Sequence, residues 1–287
     1  NVALRLFYSH HIEPGGADSI IGGGFGLARL LRSRAKERMD DLRSPAAVRL
    51  QVLLACVLLG VYLLVYVPAP ESADGSALAA VAVSLVRSGS PNMNAVVYAD
   101  FFMPSPEGYM HTVGADGAFY AKKGVTPSLL LAPLVALSDA FPFLPTRATL
   151  MLFNPLVITA TALLLFRFTV RLGYRLRSGM IVALSFGLAT FALAYAKSLF
   201  GEPLAGLLVL ILVMALHAPR STRRIIVAGI ALGLLVGINT VYIVFAPVAA
   251  ALLLARIRRL RDVIVLAIPV VIAGLLLALY NAAHFGD

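Results

Sequence analysis

An all-α membrane bundle is the fold class the sequence predicts, and three observations predict it. Hydrophobic residues make up 60% of the 287 and charged residues only 13%, roughly half the charged share of an ordinary globular domain. The apolar residues fall in runs near the ~20-residue length that a bilayer core requires. The arginines gather between those runs rather than throughout the chain. So much apolar surface cannot be hidden in a soluble chain of this size, and the same composition excludes disorder, a collagen-like fibre and a disulfide scaffold. The single cysteine, Cys56, stands inside an apolar run, so no internal disulfide forms and no redox compartment is implied.

The elements follow in order. Residues 1–47 read as a basic arm. Its Gly22-Gly23-Gly24-Phe25-Gly26 run has no strand before it and no Lys-Ser/Thr after it, so it reads as a hinge rather than a phosphate loop. A basic amphipathic helix, Leu27–Leu42, is expected next. The arm is too long and too basic to read as a secretory signal. Residues 48–287 then form a membrane module with seven expected spans: Val48–Val67, Ala148–Phe166, Gly179–Ala196, Pro203–Leu216 with its flanks, Ile225–Val241, Tyr242–Ala255 and Val263–Tyr280. An eighth apolar run, Ser128–Leu144, is short, contains Pro133 and ends in prolines.

The positive-inside rule sets the count. Arginines cluster in the arm, at Arg167/Arg171/Arg175/Arg177, at Arg220/Arg223/Arg224 and at Arg256/Arg258/Arg259/Arg261. With seven spans and the N-terminus inside, 19 of the 24 lysines and arginines face the cytoplasm, and the two faces carry +13 and −3. An eighth span would throw three clusters outside, so Ser128–Leu144 is expected to lie on the outer face. The overall charge of +10 is thereby a topology signal, and a nucleic-acid partner loses its support.

The long outer loop, residues 68–147, gathers the chemistry. An amphipathic helix, Asp74–Arg87, is predicted there, opened by Ser72 or Asp74, closed at Gly89, and burying a stripe of Leu78, Ala82, Leu85 and Val86. Asp116 falls in a turn, and Tyr120, Lys122 and Lys123 follow it. The next outer turn brings Lys197 and Glu202, and the chain's end brings Asn281 and His284. Carboxylates and lysines on one side of a bilayer suit transfer from a lipid-linked phosphate donor to a hydroxyl. The five histidines form no metal set, so no cofactor is indicated; a divalent metal would have to be held by carboxylates.

Four segments carry a resemblance: Glu71–Gly89, an acid-bearing start to a helix that ends at Gly; Gly114–Pro133, with its Tyr120, Lys122, Lys123, Gly124, Ser128 and Pro133; Ala196–Pro203, an acidic turn leading into a span; and Asn281–Gly286. In order and spacing they resemble the N-terminal seven-span module of the GT-C superfamily, the polyprenyl-phosphate-dependent glycosyltransferases that include mannosyl- and aminoarabinose-transferase-like proteins. The likeness covers Val48 to Gly286. It implies an inverting transferase in the cytoplasmic membrane, with its catalytic face outside, a lipid-linked sugar as donor and membrane lipids as neighbours. Asp74 would be the general base; Asp116, Tyr120, Lys122, Lys123 and Glu202 would bind substrate.

Each residue also has a structural reading. Asp74 can cap a helix, Asp116 can simply make a turn, and Glu202 before Pro203 can open a helix. Lys122 and Lys123 can meet lipid headgroups, and Tyr120 can belong to an interfacial belt. The sequence departs from the family where Gly75 follows Asp74 in place of a second acid, and where Gly237–Thr240 lacks a basic residue. These departures, with the absence of Trp, point to the alternative: a non-catalytic GT-C-derived scaffold or accessory subunit of a larger membrane complex. A transporter fits less well, because the span interiors hold almost no charge.

Overall fold

The computed structural model describes residues 42–70, 72–218, 221–257 and 259–286. Most of the basic arm, with its glycine run and the helix expected from Leu27, lies outside the described residues, as do Glu71, Arg220, Arg258 and Asp287. The rest is mostly helical. Helix α1 (Pro45–Leu64) opens on Ser44, whose hydroxyl accepts from the Ala47 amide, with Pro45 at the first turn. After it come α2 (Ala73–Ser88), the short α3 (Asn94–Val97) and a hairpin of β1 (His111–Val113) and β2 (Phe119–Ala121). The hairpin is antiparallel, Thr112 opposite Tyr120. Then follow α4 (Thr126–Ala140), α5 (Thr146–Met151), α6 (Phe153–Arg171), α7 (Leu176–Leu188), α8 (Phe191–Ala196) and α9 (Glu202–His217). Helices α10 (Thr222–Ile238), α11 (Phe245–Ile257) and α12 (Leu260–Phe285) complete the chain.

Three helical stretches among the described residues are long and apolar enough to cross a membrane: Pro45–Leu64, Thr146–Arg171 and Leu260–Phe285. Others are apolar but shorter, and the expected spans change accordingly. Gly179–Ala196 is two pieces, because α7 stops at Leu188 and Thr190 caps α8 by accepting from the Ala192 amide. Tyr242–Ala255 opens in a 3-10 turn, with the Asn239 side chain accepting from the Val241 amide. Ser128–Leu144 becomes α4, which ends at Ala140 before the prolines. Helix α2 is enclosed on every side from Gly75 to Ser84 rather than along one stripe; Leu85 is half-buried and Val86 is exposed.

Contacts set the directions. Gly229 and Gly233 of α10 meet Pro269 and its neighbours on α12 so closely that a Cβ at 229 would lie 2.5 Å from the Leu266 carbonyl oxygen. Small residues here let two parallel helices approach. Helices α6 and α9 are parallel too, since Phe168 meets His217 at one end and Asn154 donates to the Ser198 carbonyl (2.7 Å) at the other. Helix α1 opposes α6: Arg167 donates to Gln51, and the Tyr66 hydroxyl donates to the Ala148 carbonyl. The bundle therefore has two distinct ends. One bears Arg49, Arg167, Arg171, Arg175, Arg177, Arg223, Arg224, Arg259 and Arg261. The other bears Asp74, Lys123, Lys197, Glu202, Asn239 and His284.

Helices α2 and α4 run side by side, Ser128 donating to the Leu78 carbonyl and Arg87 pairing with Asp139 at 2.6 Å. Helix α4 begins beside Gly237, at the end of α10, and finishes where Arg87 also reaches Thr146. Both helices thus start and finish at the carboxylate-bearing end, as a crosspiece over the bundle. One core gathers around α2, α4, α9 and α10, and a second around α1, α6 and α7.

Candidate functional site

Three backbone hydrogen bonds stitch the site together. The Met110 amide donates to the Ala73 carbonyl (3.1 Å), the Lys122 amide donates to Met110 (3.0 Å), and the Gly124 amide donates to Ile238 (3.2 Å). Together they fix the start of α2, the exit of β2 and the end of α10 against one another. Gly124 is required there: a Cβ would sit 2.0 Å from the Gly237 carbonyl oxygen and 2.5 Å from that of Ile238. Ser72 opens α2, its hydroxyl accepting from the Gly75 amide (3.0 Å). Asp74 is therefore not the cap. It stands in the first turn, where the helix dipole favours a carboxylate.

Lys123 Nζ lies 2.9 Å from Asp74 Oδ2. Asp74 Oδ1 is buried and without a hydrogen-bond partner. The hydrogen bond to Asp74 pushes the Lys123 ammonium above its ordinary value, with the charge of Glu202 adding to it. Asp74, Lys123, Glu202 and Tyr242 line one small cavity of about 30 Å³. A second cavity, of about 410 Å³, adjoins it: Lys123, Ile238 and Asn239 line both. Lys122 lines the larger one, with Thr112 and Asn281 as further polar groups and Val81, Leu277, Tyr280 and Phe285 as apolar wall.

Asp116 and Tyr120 go elsewhere. The Tyr120 hydroxyl donates to Asp116 (2.8 Å), and Asp116 also accepts from the Ala118 amide. These bonds, the amide first, hold the Asp116 carboxyl below its usual range. Tyr120 is buried; burial first and Asp116 second push its hydroxyl up to about 12. Its ring packs 4.6 Å from that of His284, and the Ala115 amide donates to the His284 carbonyl. This cluster straps the hairpin to the end of α12, beside the larger cavity. Lys197 also diverges from Glu202, lining a pocket on the flank of the bundle.

Sequence reasoning thus names Asp74, Lys122, Lys123 and Glu202 near two joined cavities, and places Asp116 too close to them. It misses Asn239 and Tyr242 as lining residues; the signal for Asn239 was its place directly after α10, where Asn commonly caps a turn. Among the described residues no three His, Cys, Asp or Glu side chains group closely enough to hold a metal ion. No family model, curated protein or solved structure matches the chain.

Proposed function

We propose that the protein is an integral membrane glycosyltransferase-like module of GT-C type. Seven spans would place its basic end in the cytoplasm and its carboxylate-bearing end outside. The observation that carries this reading is the position of Lys123, which sits between a carboxylate pair and a larger cavity holding a second lysine against an apolar wall. A polyprenyl phosphate needs cations at its head and apolar surface along its tail. In the reaction, the acceptor oxygen forms a bond to the anomeric carbon as the bond from that carbon to the phosphate oxygen breaks. Asp74 takes the acceptor's proton, and Lys122 and Lys123 stabilise the departing phosphate.

Binding of undecaprenyl phosphate to the purified chain tests the donor half. It should exceed binding of undecaprenol, and Lys122→Ala should weaken it; equal binding of the two lipids would sink the proposal. Asp74→Asn should retain binding yet lower transfer of labelled mannose from its polyprenyl phosphate by at least about a hundredfold.

A second reading has its own support. Gly75 packs against the Leu199 carbonyl, which would lie 2.7 Å from a Cβ there, so no second acid fits beside Asp74. In a scaffold, the Asp74–Lys123 pair would serve to tie α2 to the loop before α4. Asp74→Asn would then lower the unfolding temperature, and no transfer would be measured in the wild type.

A further inference from the structure

A separate cavity of about 570 Å³ opens on the flank of the bundle, where α1 ends and α7 turns into α8. Its position follows from the break at Ala189–Thr190, where extended backbone at Thr190 interrupts the helix beside Val65. The walls are apolar: Val65, Leu193, Ala194 and Phe191, a residue that is 83% exposed. Thr190 adds no free donor, since its hydroxyl donates to the Phe186 carbonyl at 2.6 Å. Lys197 is the charged group lining the slot. It has no carboxylate within ion-pair distance among the described residues, whereas Lys123 at the other site holds Asp74. Glu202, five residues on, is committed to the Asp74 cavity.

A cation at the rim of an apolar slot demands an amphiphile with a negative head. A zwitterionic headgroup would bring its own cation beside the ammonium and match it less well, and a free anion would leave the apolar wall uncovered. The slot is open along one side, so an acyl chain can lie in it without being enclosed. We propose that this slot binds an anionic phospholipid, its phosphate on Lys197 and an acyl chain along Val65, Phe191 and Leu193. The inference rests on the membrane reading of the chain but not on sugar transfer, so loss of one leaves the other standing.

The test is lipid retention by the detergent-purified full chain, read by native mass spectrometry with phosphatidylglycerol and with phosphatidylcholine. Phosphatidylglycerol should be retained preferentially. Lys197→Ala should weaken that retention about fivefold, the scale of one lysine at an anionic surface, and Lys197→Arg should restore it. Phe191→Ala should weaken both lipids. Lys197→Ala should leave undecaprenyl phosphate binding unchanged, which separates this slot from the undecaprenyl phosphate site. Equal retention by wild type and Lys197→Ala would overturn the proposal, and so would equal retention of the two lipids. Displacement of phosphatidylglycerol by millimolar inorganic phosphate would overturn it too, by assigning Lys197 to free phosphate.

Discussion

Helix α12 is apolar for nearly its whole length, yet Val271, Ile272, Leu275, Leu276 and Leu279 are all more than half exposed. Helix α2 carries more small and polar residues, Asp74 among them, yet Ala77, Ala79, Ala80 and Ala82 are wholly enclosed along with Leu78. In a water-soluble protein the more apolar helix would be the buried one, because burial of apolar area drives folding. Here α2, with many small residues, is enclosed, and the large apolar side chains along α12 stay exposed. That pattern is compatible with a chain whose outer solvent is hydrocarbon, because lipid tails are as apolar as leucine and backbone approach then rewards small side chains.

The sharpest way to break the comparison is to put one carboxylate on each helix. Ile272→Asp, near the middle of α12, should cost about 2.5–3.5 kcal/mol if that face meets hydrocarbon. If it meets water the change should stay within about 0.5 kcal/mol. Recovery of the chain in the membrane fraction reads the difference, and undiminished recovery would remove the contrast. Ala80→Asp, by comparison, should cost several kcal/mol in either solvent, because position 80 is wholly enclosed.

Glycine positions sharpen the same contrast at a smaller scale. Gly124→Ala must displace the end of α10, and overpacking of this kind costs about 1–3 kcal/mol. Gly274 on α12 has open space around it, so Gly274→Ala should instead stabilise by up to about 1 kcal/mol through helix propensity. Opposite shifts in unfolding temperature in detergent are the expected outcome. A Gly124→Ala chain as stable as the wild type would show that the close approach at Gly124 is not a constraint.

Legibility in the sequence followed the physics of each feature. Apolar runs and arginine clusters are one-dimensional signals, and they located most helices and the basic end. Breaks such as Thr190 were harder to read, because a capping threonine inside an apolar run leaves mean hydropathy almost unchanged. The all-round burial of α2 was also hidden: alanine and serine fit a half-exposed helix equally well, and it is α4, α3, β2 and Leu199 together that enclose it. That Asp74, Lys123 and Glu202 lie near one another was legible because each borders a helix start or hairpin exit. The separation of Asp116 from them was not legible, because two residues near the same end of the bundle can still belong to different clusters, and sequence spacing carries no information about that lateral separation.

The smallest effect separates the two clusters by pH. Lys123 is raised chiefly by its hydrogen bond to Asp74, and Tyr120 by burial and then by Asp116. Both folded values lie above unfolded ones of about 10.4 and 10. Each contribution is therefore complete below about pH 10 and is lost as pH rises through the folded value. Unfolding temperature should be flat from about pH 8 to 10 and fall from about pH 10 to 12. Tyr120→Phe should lose about 1 kcal/mol at neutral pH, the scale of one hydrogen bond, while making the alkaline fall shallower. Lys123→Met should remove a different part of the fall and leave the Tyr120 part intact. The two clusters share no partner, so the losses should add in the double variant. Strong non-additivity would mean that the hairpin strap and the Asp74 cavity act as one unit, with α12 coupled to α2 through Lys122 and Lys123.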